Sequence, residues 1–259
     1  MQVTGNTILI TGGGSGIGRA LAEAFHRRGN EVIVAGRREQ ALREVADANP
    51  GMKTAVLDVQ DAKSIEAFAA RMAEQFPTLN VVINNAGIMQ LENWRADHVD
   101  LTTAEATITT NLLAPIRLSA ALLPQLKRQA RSTIVTVTSG LAFLTLAHTP
   151  AYSATKAAIH AFSDALRYQL RDTNVGVVEI APPYVQTELM GEQQASDPQA
   201  MPLAEFIDEV MHILETQPEA REALVGRVHP LRFAAEQGYE KYTAQFHAFN
   251  DHFGAALEG

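Results

Sequence analysis

The chain of 259 residues contains no cysteine. Disulfides, thiolate metal sites and cysteine nucleophiles are excluded together. Basic charge is also scarce: 21 Lys and Arg face 29 Asp and Glu, a formal net charge of −8. Without a basic block, nucleic acid and anionic membrane surfaces are poor partners. No stretch reads as a membrane span of about 18 apolar residues. No basic start with a long apolar core marks a signal peptide. A soluble cytoplasmic protein is the expectation. None of the 8 histidines falls in a His-Glu-x-x-His or other ligand spacing, so no catalytic metal is expected. Gly-x-Ser-x-Gly, the hydrolase nucleophile turn, is absent around Ser139.

What is present is apolar substance: 46% of residues are hydrophobic, enough to bury a sizeable core. Short apolar runs predict strands at Thr7–Ile10, Glu31–Ala35, Lys53–Leu57, Asn80–Asn84, Thr133–Thr138, Val175–Ala181 and Ala223–Val228. Several are continuous Val/Ile/Leu runs, as strands covered on both faces are. Helical patterns lie between them, among them Gly18–Arg28, Ser64–Gln75 and Tyr152–Arg171. The alternation predicts a single α/β domain over residues 1–259, with a mostly parallel, doubly wound seven-stranded sheet and helices on both faces. Residues 186–203, polar with apolar patches at Leu189, Met190, Met201 and Leu203, read as a loop or broken helix placed as a substrate lid. Residues 232–259 form a C-terminal extension. Its Tyr239, Tyr242, Phe246, Phe249 and Phe253 follow 3-4-3-4 spacing along one helix face. That stripe is expected to dock on the chain's own body or on a sister subunit.

The first strand runs into Thr11-Gly12-Gly-Gly-Ser15-Gly16-Ile17-Gly18 and then a helical pattern. Glycines let backbone approach a ligand closely, and a helix start presents free N–H groups and a positive dipole end to phosphate. The strict G-x-G-x-x-G spacing is absent, and a glycine-rich turn alone is often only a tight turn. Its place after the first strand favours a nucleotide. Farther on, Tyr152 and Lys156 stand at i and i+4 of a helix, thirteen residues and more beyond Ser139. A phenol and an ammonium side by side suit proton exchange, since a nearby cation favours phenolate. A solvated Tyr/Lys face is the alternative.

Taken together, Thr11-Gly12-x3-Gly16-x-Gly18, Asn84-Asn85-Ala86-Gly87, Asn111, Ser139, Tyr152 and Lys156 resemble the short-chain dehydrogenase/reductase family, in its order and spacing, from about Thr7 to Thr187. Within it, the chain is similar to the bacterial oxidoreductases named after the lipoteichoic-acid D-alanylation operon. The resemblance implies a Rossmann domain and hydride transfer between nicotinamide and a carbonyl or alcohol carbon. Tyr152 would exchange the proton, Lys156 would lower its pKa and bond the nicotinamide ribose, Ser139 would bond the substrate oxygen, and Asn111 would support a water near the lysine. Ser139 reads alternatively as a turn residue and Asn111 as a cap or kink. Asp58 and Val59 would meet adenine, with a helix-cap reading open for Asp58. Asn85, Ala86 and Gly87 would brace the cofactor side. Pro182, Val185 and Thr187 match the family's nicotinamide loop, with Pro183 where the family has glycine, so that loop must differ if the glycine uses positive φ. Paired subunits, a homodimer or homotetramer, are also implied.

The second strand ends in Gly36-Arg37-Arg38, with no carboxylate before Glu39. An acid at that end holds a ribose 2′-hydroxyl, whereas a guanidinium pairs with a 2′-phosphate. NADP(H) is therefore favoured over NAD(H), the alternative being that Arg37 and Arg38 are ordinary solvated charges. Leu141, Phe143, Leu144 and Leu146, with Tyr184, Leu189 and Met190, are expected to wall an apolar pocket. No Lys or Arg lies between Ser139 and Tyr152 to fix an anion, so a small, neutral, fairly apolar substrate is expected. Two competing readings keep the fold: an epimerase or dehydratase with retained cofactor, and a non-catalytic dinucleotide sensor.

Overall fold

The computed structural model describes residues 1–257. Seven strands form one parallel sheet: β1 (Thr7–Thr11), β2 (Glu31–Gly36), β3 (Lys53–Val56), β4 (Leu79–Asn84), β5 (Ser132–Val137), β6 (Val175–Ile180) and β7 (Glu222–Ala223), in the order β3-β2-β1-β4-β5-β6-β7. Chain order reverses at β1, which lies between β2 and β4, and a crevice opens where crossovers leave in opposite directions. The connecting helices are α1 (Gly16–His26), α2 (Glu39–Ala48), α3 (Ala62–Gln75), α4 (Thr102–Ile108), α5 (Ala114–Arg128), α6 (Pro150–Gln169), α7 (Glu192–Ser196), α8 (Leu203–Thr216), α9 (His229–Arg232) and α10 (Tyr239–Leu257).

Strand alternation sorts the core into two layers. Ile8, Ile10, Val32, Val34, Val81 and Ile83 pack with Leu21 and Phe25 of α1 and Phe206, Val210 and Met211 of α8. Leu9, Ile33, Val82, Ile134 and Val177 pack with Phe68 of α3 and Leu118, Leu122 and Leu126 of α5. β1 is buried along its whole length, which is why it reads as an unbroken apolar run. The sheet and its doubly wound helices are the architecture that the alternation of strand and helix patterns predicts.

Two expectations need correction. The strand expected over Ala223–Val228 pairs only at Glu222–Ala223, and Gly226–Val228 is a 3₁₀ turn. The cause is packing: Val228 and Leu231 close onto bare Gly140, where an added Cβ would lie 2.5 Å from Leu231 Cδ1 and 3.1 Å from Val228 Cγ2. Thr102–Arg128 is also long and apolar enough, by length and composition, to cross a membrane. Its buried leucines face the sheet and α3, as those of a core helix do.

α10 docks on its own chain. Asn250 Nδ2 donates to Thr145 O at 3.0 Å, and Ala147 N donates to Asn250 Oδ1 at 2.6 Å. Phe253 meets the Tyr184 ring edge-on at 5.8 Å and packs against Phe249 at 4.9 Å. Tyr239, at the head of the stripe, stays 84% exposed.

Candidate active site

β1 ends at Thr11, whose hydroxyl accepts the N–H groups of Asn85 at 3.0 Å and Ala86 at 3.1 Å. Asn85 answers by donating Nδ2 to Thr11 O at 3.0 Å. The ends of β1 and β4 are thus tied together at the switch point. Gly12 and Gly16 turn at φ 68° and 52°, in the left-handed region. A Cβ on Gly18 would stand 2.3 Å from Gly12 O and 2.4 Å from Asn85 Nδ2, so only glycine fits there. Ser15 precedes α1 in extended conformation and no side chain caps the helix. The first N–H groups of α1 therefore face an open cleft of about 450 Å³, whose wall includes Gly12, Ser15, Gly16 and Ile17.

At one end of the cleft stand Arg37 and Arg38, both exposed. Arg38 Nη2 donates to Ser15 Oγ at 2.9 Å, so a guanidinium leans into the glycine turn. The first carboxylate after β2, Glu39, is taken by Arg43 at 2.5 Å. Val59, Ala86 and Gly87 line the cleft, and Gln60, which the sequence reasoning did not single out, joins them. Asp58 does not. It is exposed and accepts Gln60 N at 3.0 Å, the turn role that its residue type equally allows.

At the other end, Ser139, Tyr152 and Lys156 share the wall with Pro182, Val185 and Thr187. Tyr152 and Lys156 are each 6% exposed. Lys156 Nζ lies 5.4 Å from the phenol ring centroid and donates to Val137 O at 2.9 Å. Ser139 Oγ accepts Leu141 N at 3.1 Å, so it also works as the turn residue that its position suggests. Asn111 sits in a π-helical turn, Thr109–Leu113, between α4 and α5. Its Oδ1 accepts Ile88 N at 2.9 Å and its Nδ2 donates to Ile88 O at 2.8 Å. A Cβ on Gly87 would lie 3.4 Å from Asn111 Oδ1 and 3.7 Å from Lys156 Nζ, so Gly87, Asn111 and Lys156 converge.

The phenol's net shift runs opposite to the lowering expected beside a lysine. Burial pushes Tyr152 up to about 12, and the Ser139 hydroxyl opposes that only in part. The same burial pulls Lys156 down to about 8, against the charge of Glu179. Desolvation favours the neutral form of both groups. A neutral phenol is the form that gives a proton away.

The expected apolar pocket departs most from the structure. Of the expected pocket residues, Leu189 lines the cleft, while Leu141, Phe143, Tyr184 and Met190 are not in its wall. Phe143 instead packs between His160, 4.7 Å away ring to ring, and the Arg232 guanidinium, 4.6 Å from its ring. Tyr184 donates its hydroxyl to Asp197 at 3.1 Å. Leu144 and Leu146 are core residues. Apolar wall comes from Ile88, Met89 and Pro183. Gln194 of α7 was also missed. Buried, it donates to Val185 O at 2.9 Å and Thr187 Oγ1 at 3.2 Å and accepts Met190 N at 3.0 Å, closing the loop after β6 on itself. No sequence signal separates it from the other polar residues of that loop.

The family model of short chain dehydrogenases matches residues 6–198. An uncharacterized oxidoreductase, DltE, of Bacillus subtilis (strain 168) is 41% identical over 248 residues, covering 95% of this chain and 98% of the relative. Among solved structures, a short chain dehydrogenase from Burkholderia cenocepacia in complex with NADP superposes with TM-score 0.81 at 23% identity, over 95% of this chain and 99% of the other. A short chain dehydrogenase/reductase from Burkholderia phymatum in complex with NAD gives TM-score 0.79 at 20% identity, over 92% and 95%. At these identities the two structures speak for the fold alone. The family match over residues 6–198 and the full-length relative agree with the motifs, so the chain belongs to the short-chain dehydrogenase family and is an oxidoreductase of its DltE-like subgroup.

Proposed function

We propose that this oxidoreductase uses NADP(H) to interconvert a small, fairly apolar carbonyl compound and its alcohol, with Tyr152 holding the exchanged proton. The observation that carries the reading is one cleft with two chemically distinct ends, Arg37 and Arg38 at one and Ser139, Tyr152 and Lys156 at the other, joined by the glycine turn. The turn is a cradle that an added Cβ would fill, and α1 opens on it uncapped, which fits a pyrophosphate. When bound, the dinucleotide supplies the hydride chemistry at nicotinamide C4.

The chain's own residues supply the rest. Tyr152 Oη, kept protonated by burial, gives its proton to the substrate oxygen as negative charge develops there. Ser139 donates a second hydrogen bond to the same oxygen. Lys156, fixed on Val137 O, brings a cation beside the phenol and a donor toward the nicotinamide ribose. Ile88, Met89 and Leu189 add apolar wall, and Arg37, Arg38 and Lys156 are the only cations in the described wall. The first two stand at the adenosine end, so nothing cationic besides Lys156 is left to fix an anionic substrate. A neutral carbonyl fits.

The two arginines support NADP(H). The glycine turn itself carries no basic residue, Ser15 standing there, but Arg38 brings a guanidinium against Ser15 Oγ at 2.9 Å. Arg37 has no ion pair or side-chain hydrogen bond among the described residues, which leaves its fork for a phosphate. Arg37→Asp is expected to weaken NADPH binding by about 10–100-fold, the loss of a charge-assisted bond, while NADH binding holds or improves. Fluorescence titration with both dinucleotides measures this. An unchanged preference removes Arg37 from the 2′-phosphate site.

A further inference from the structure

Parallel strands covered on both faces are normally apolar throughout. β6 departs from that rule at Glu179, which is 0% exposed. Register sets Glu179 beside Thr136 of β5, and alternation puts Thr136, Thr138 and Glu179 on the sheet face beneath α6. Both carboxylate oxygens are engaged. Oε1 accepts the Thr138 hydroxyl at 2.6 Å, and Oε2 faces His160 Nδ1 at 2.8 Å. His160 follows Lys156 by four residues, as Lys156 follows Tyr152, so all three share one face of α6. Thr138 stands in the cleft wall between Val137, whose carbonyl anchors Lys156, and Ser139. One hydrogen bond therefore links Glu179 to the peptide that carries both.

Other charges surround the pair. Glu222 of β7 lies 4.0 Å from His160 Nδ1 and is gripped by Arg232 of α9 through Nε at 2.9 Å and Nη2 at 3.0 Å. Asp164, one turn along α6, is 3.8 Å from His160 Nε2. His160, Glu179 and Glu222 are close enough together to hold a cation. Arg232 holds both oxygens of Glu222, and Thr138 and His160 take the two oxygens of Glu179, so these atoms already have partners within the protein. The Glu179 hydrogen bond, reinforced by Asp164 and Glu222, raises the His160 pKa. Glu179 is also the charge that opposes the burial of Lys156.

We infer that Glu179 is a positioning residue for the reaction: from under the sheet it keeps Lys156 cationic in a dry site and holds the Thr138–Ser139 peptide, with His160 as its counter-ion. The inference rests on the reductase reading above. It assigns work to a carboxylate that touches neither substrate nor dinucleotide.

The test reads Lys156 directly. The chain has five lysines, so ¹³Cε-lysine labelling gives five signals, with Lys156 assigned by its loss in Lys156→Gln. Glu179→Gln, nearly isosteric, is expected to move the Lys156 midpoint down by about one pH unit. It also lowers kcat for NADPH-driven reduction across a carbonyl panel without a matching rise in KM. Glu179→Asp, which retains the charge, recovers most of the midpoint. An unmoved midpoint in folded Glu179→Gln overturns the inference whatever the turnover. Should that variant not fold, the native protein decides: His160, assigned by its loss in His160→Gln, must titrate above its ordinary value of about 6.5, and an ordinary midpoint breaks the pair. A shifted Lys156 midpoint in a protein that reduces no carbonyl sinks the reductase reading and leaves the electrostatic link standing.

Discussion

Tyr152→Phe is expected to cut turnover by about 10²–10⁴-fold, the usual worth of a placed proton donor. The ring stays, and with it the packing of α6 against the sheet. Lys156 keeps its anchor on Val137 O, so NADPH affinity should hold within about twofold while kcat collapses. Steady-state kinetics with a carbonyl panel and a parallel binding titration separate the two quantities. Near-native kcat in the variant would remove Tyr152 as donor. The native pH profile carries a matching sign. Lys156 sheds its proton as pH rises through about 8, whereas Tyr152 keeps its own up to about 12. Reduction should therefore decline on the alkaline side near pH 8 through loss of the lysine charge, while the proton donor is still loaded.

Gly18→Ala is the second large effect, and its cause is steric. The new methyl would overlap Gly12 O at 2.3 Å and Asn85 Nδ2 at 2.4 Å, one backbone and one bonded side chain. Neither atom can yield cheaply: Gly12 holds a left-handed turn, and Asn85 ties β4 to β1. Overpacking of this kind costs about 3 kcal/mol, a loss of roughly 6–12 °C in Tm for a domain of this size. Dinucleotide binding should fall with it, since the displaced atoms shape the cradle. Gly5→Ala is the control. Gly5 also has positive φ, at 71°, but a Cβ there meets nothing within 4 Å, so strain of about 1–2 kcal/mol is the whole expected cost and binding is spared. Equal losses of binding in the two variants would contradict the steric account.

The fold was legible because its signals are local. Five strands announce themselves as Val/Ile/Leu runs, and the ends of α1 and α6 differ from the expected ones by two residues each. β7 was overrun because Val225 and Val228 look like strand residues. They are buried, as strand residues would be, but Val228 does so from a turn shaped by Gly140, more than 80 residues earlier. The gathering of Ser139, Tyr152 and Lys156 in one cleft wall was legible through the fixed spacing of Tyr152 and Lys156 on one helix. The substrate side was not, because apolar residues between Ser139 and Tyr152 carry no mark of direction: Phe143 turns toward Arg232 and His160, away from the cleft. The sign of the phenol's shift was missed for a similar reason. Spacing displays the nearby ammonium, but only packing reveals that both groups are dry. Glu179 did leave a trace, a lone acid inside Val177-Val178-Glu179-Ile180.

The walls of the dinucleotide cleft all come from residues no later than Gln194. The backbone at Thr145 and Ala147 waits for Asn250, more than 100 positions downstream. During synthesis the nucleotide cradle is thus complete in sequence well before its neighbouring loop has a partner. α10, synthesised after every residue of the cleft wall, is the helix that fastens the segment between Ser139 and Tyr152.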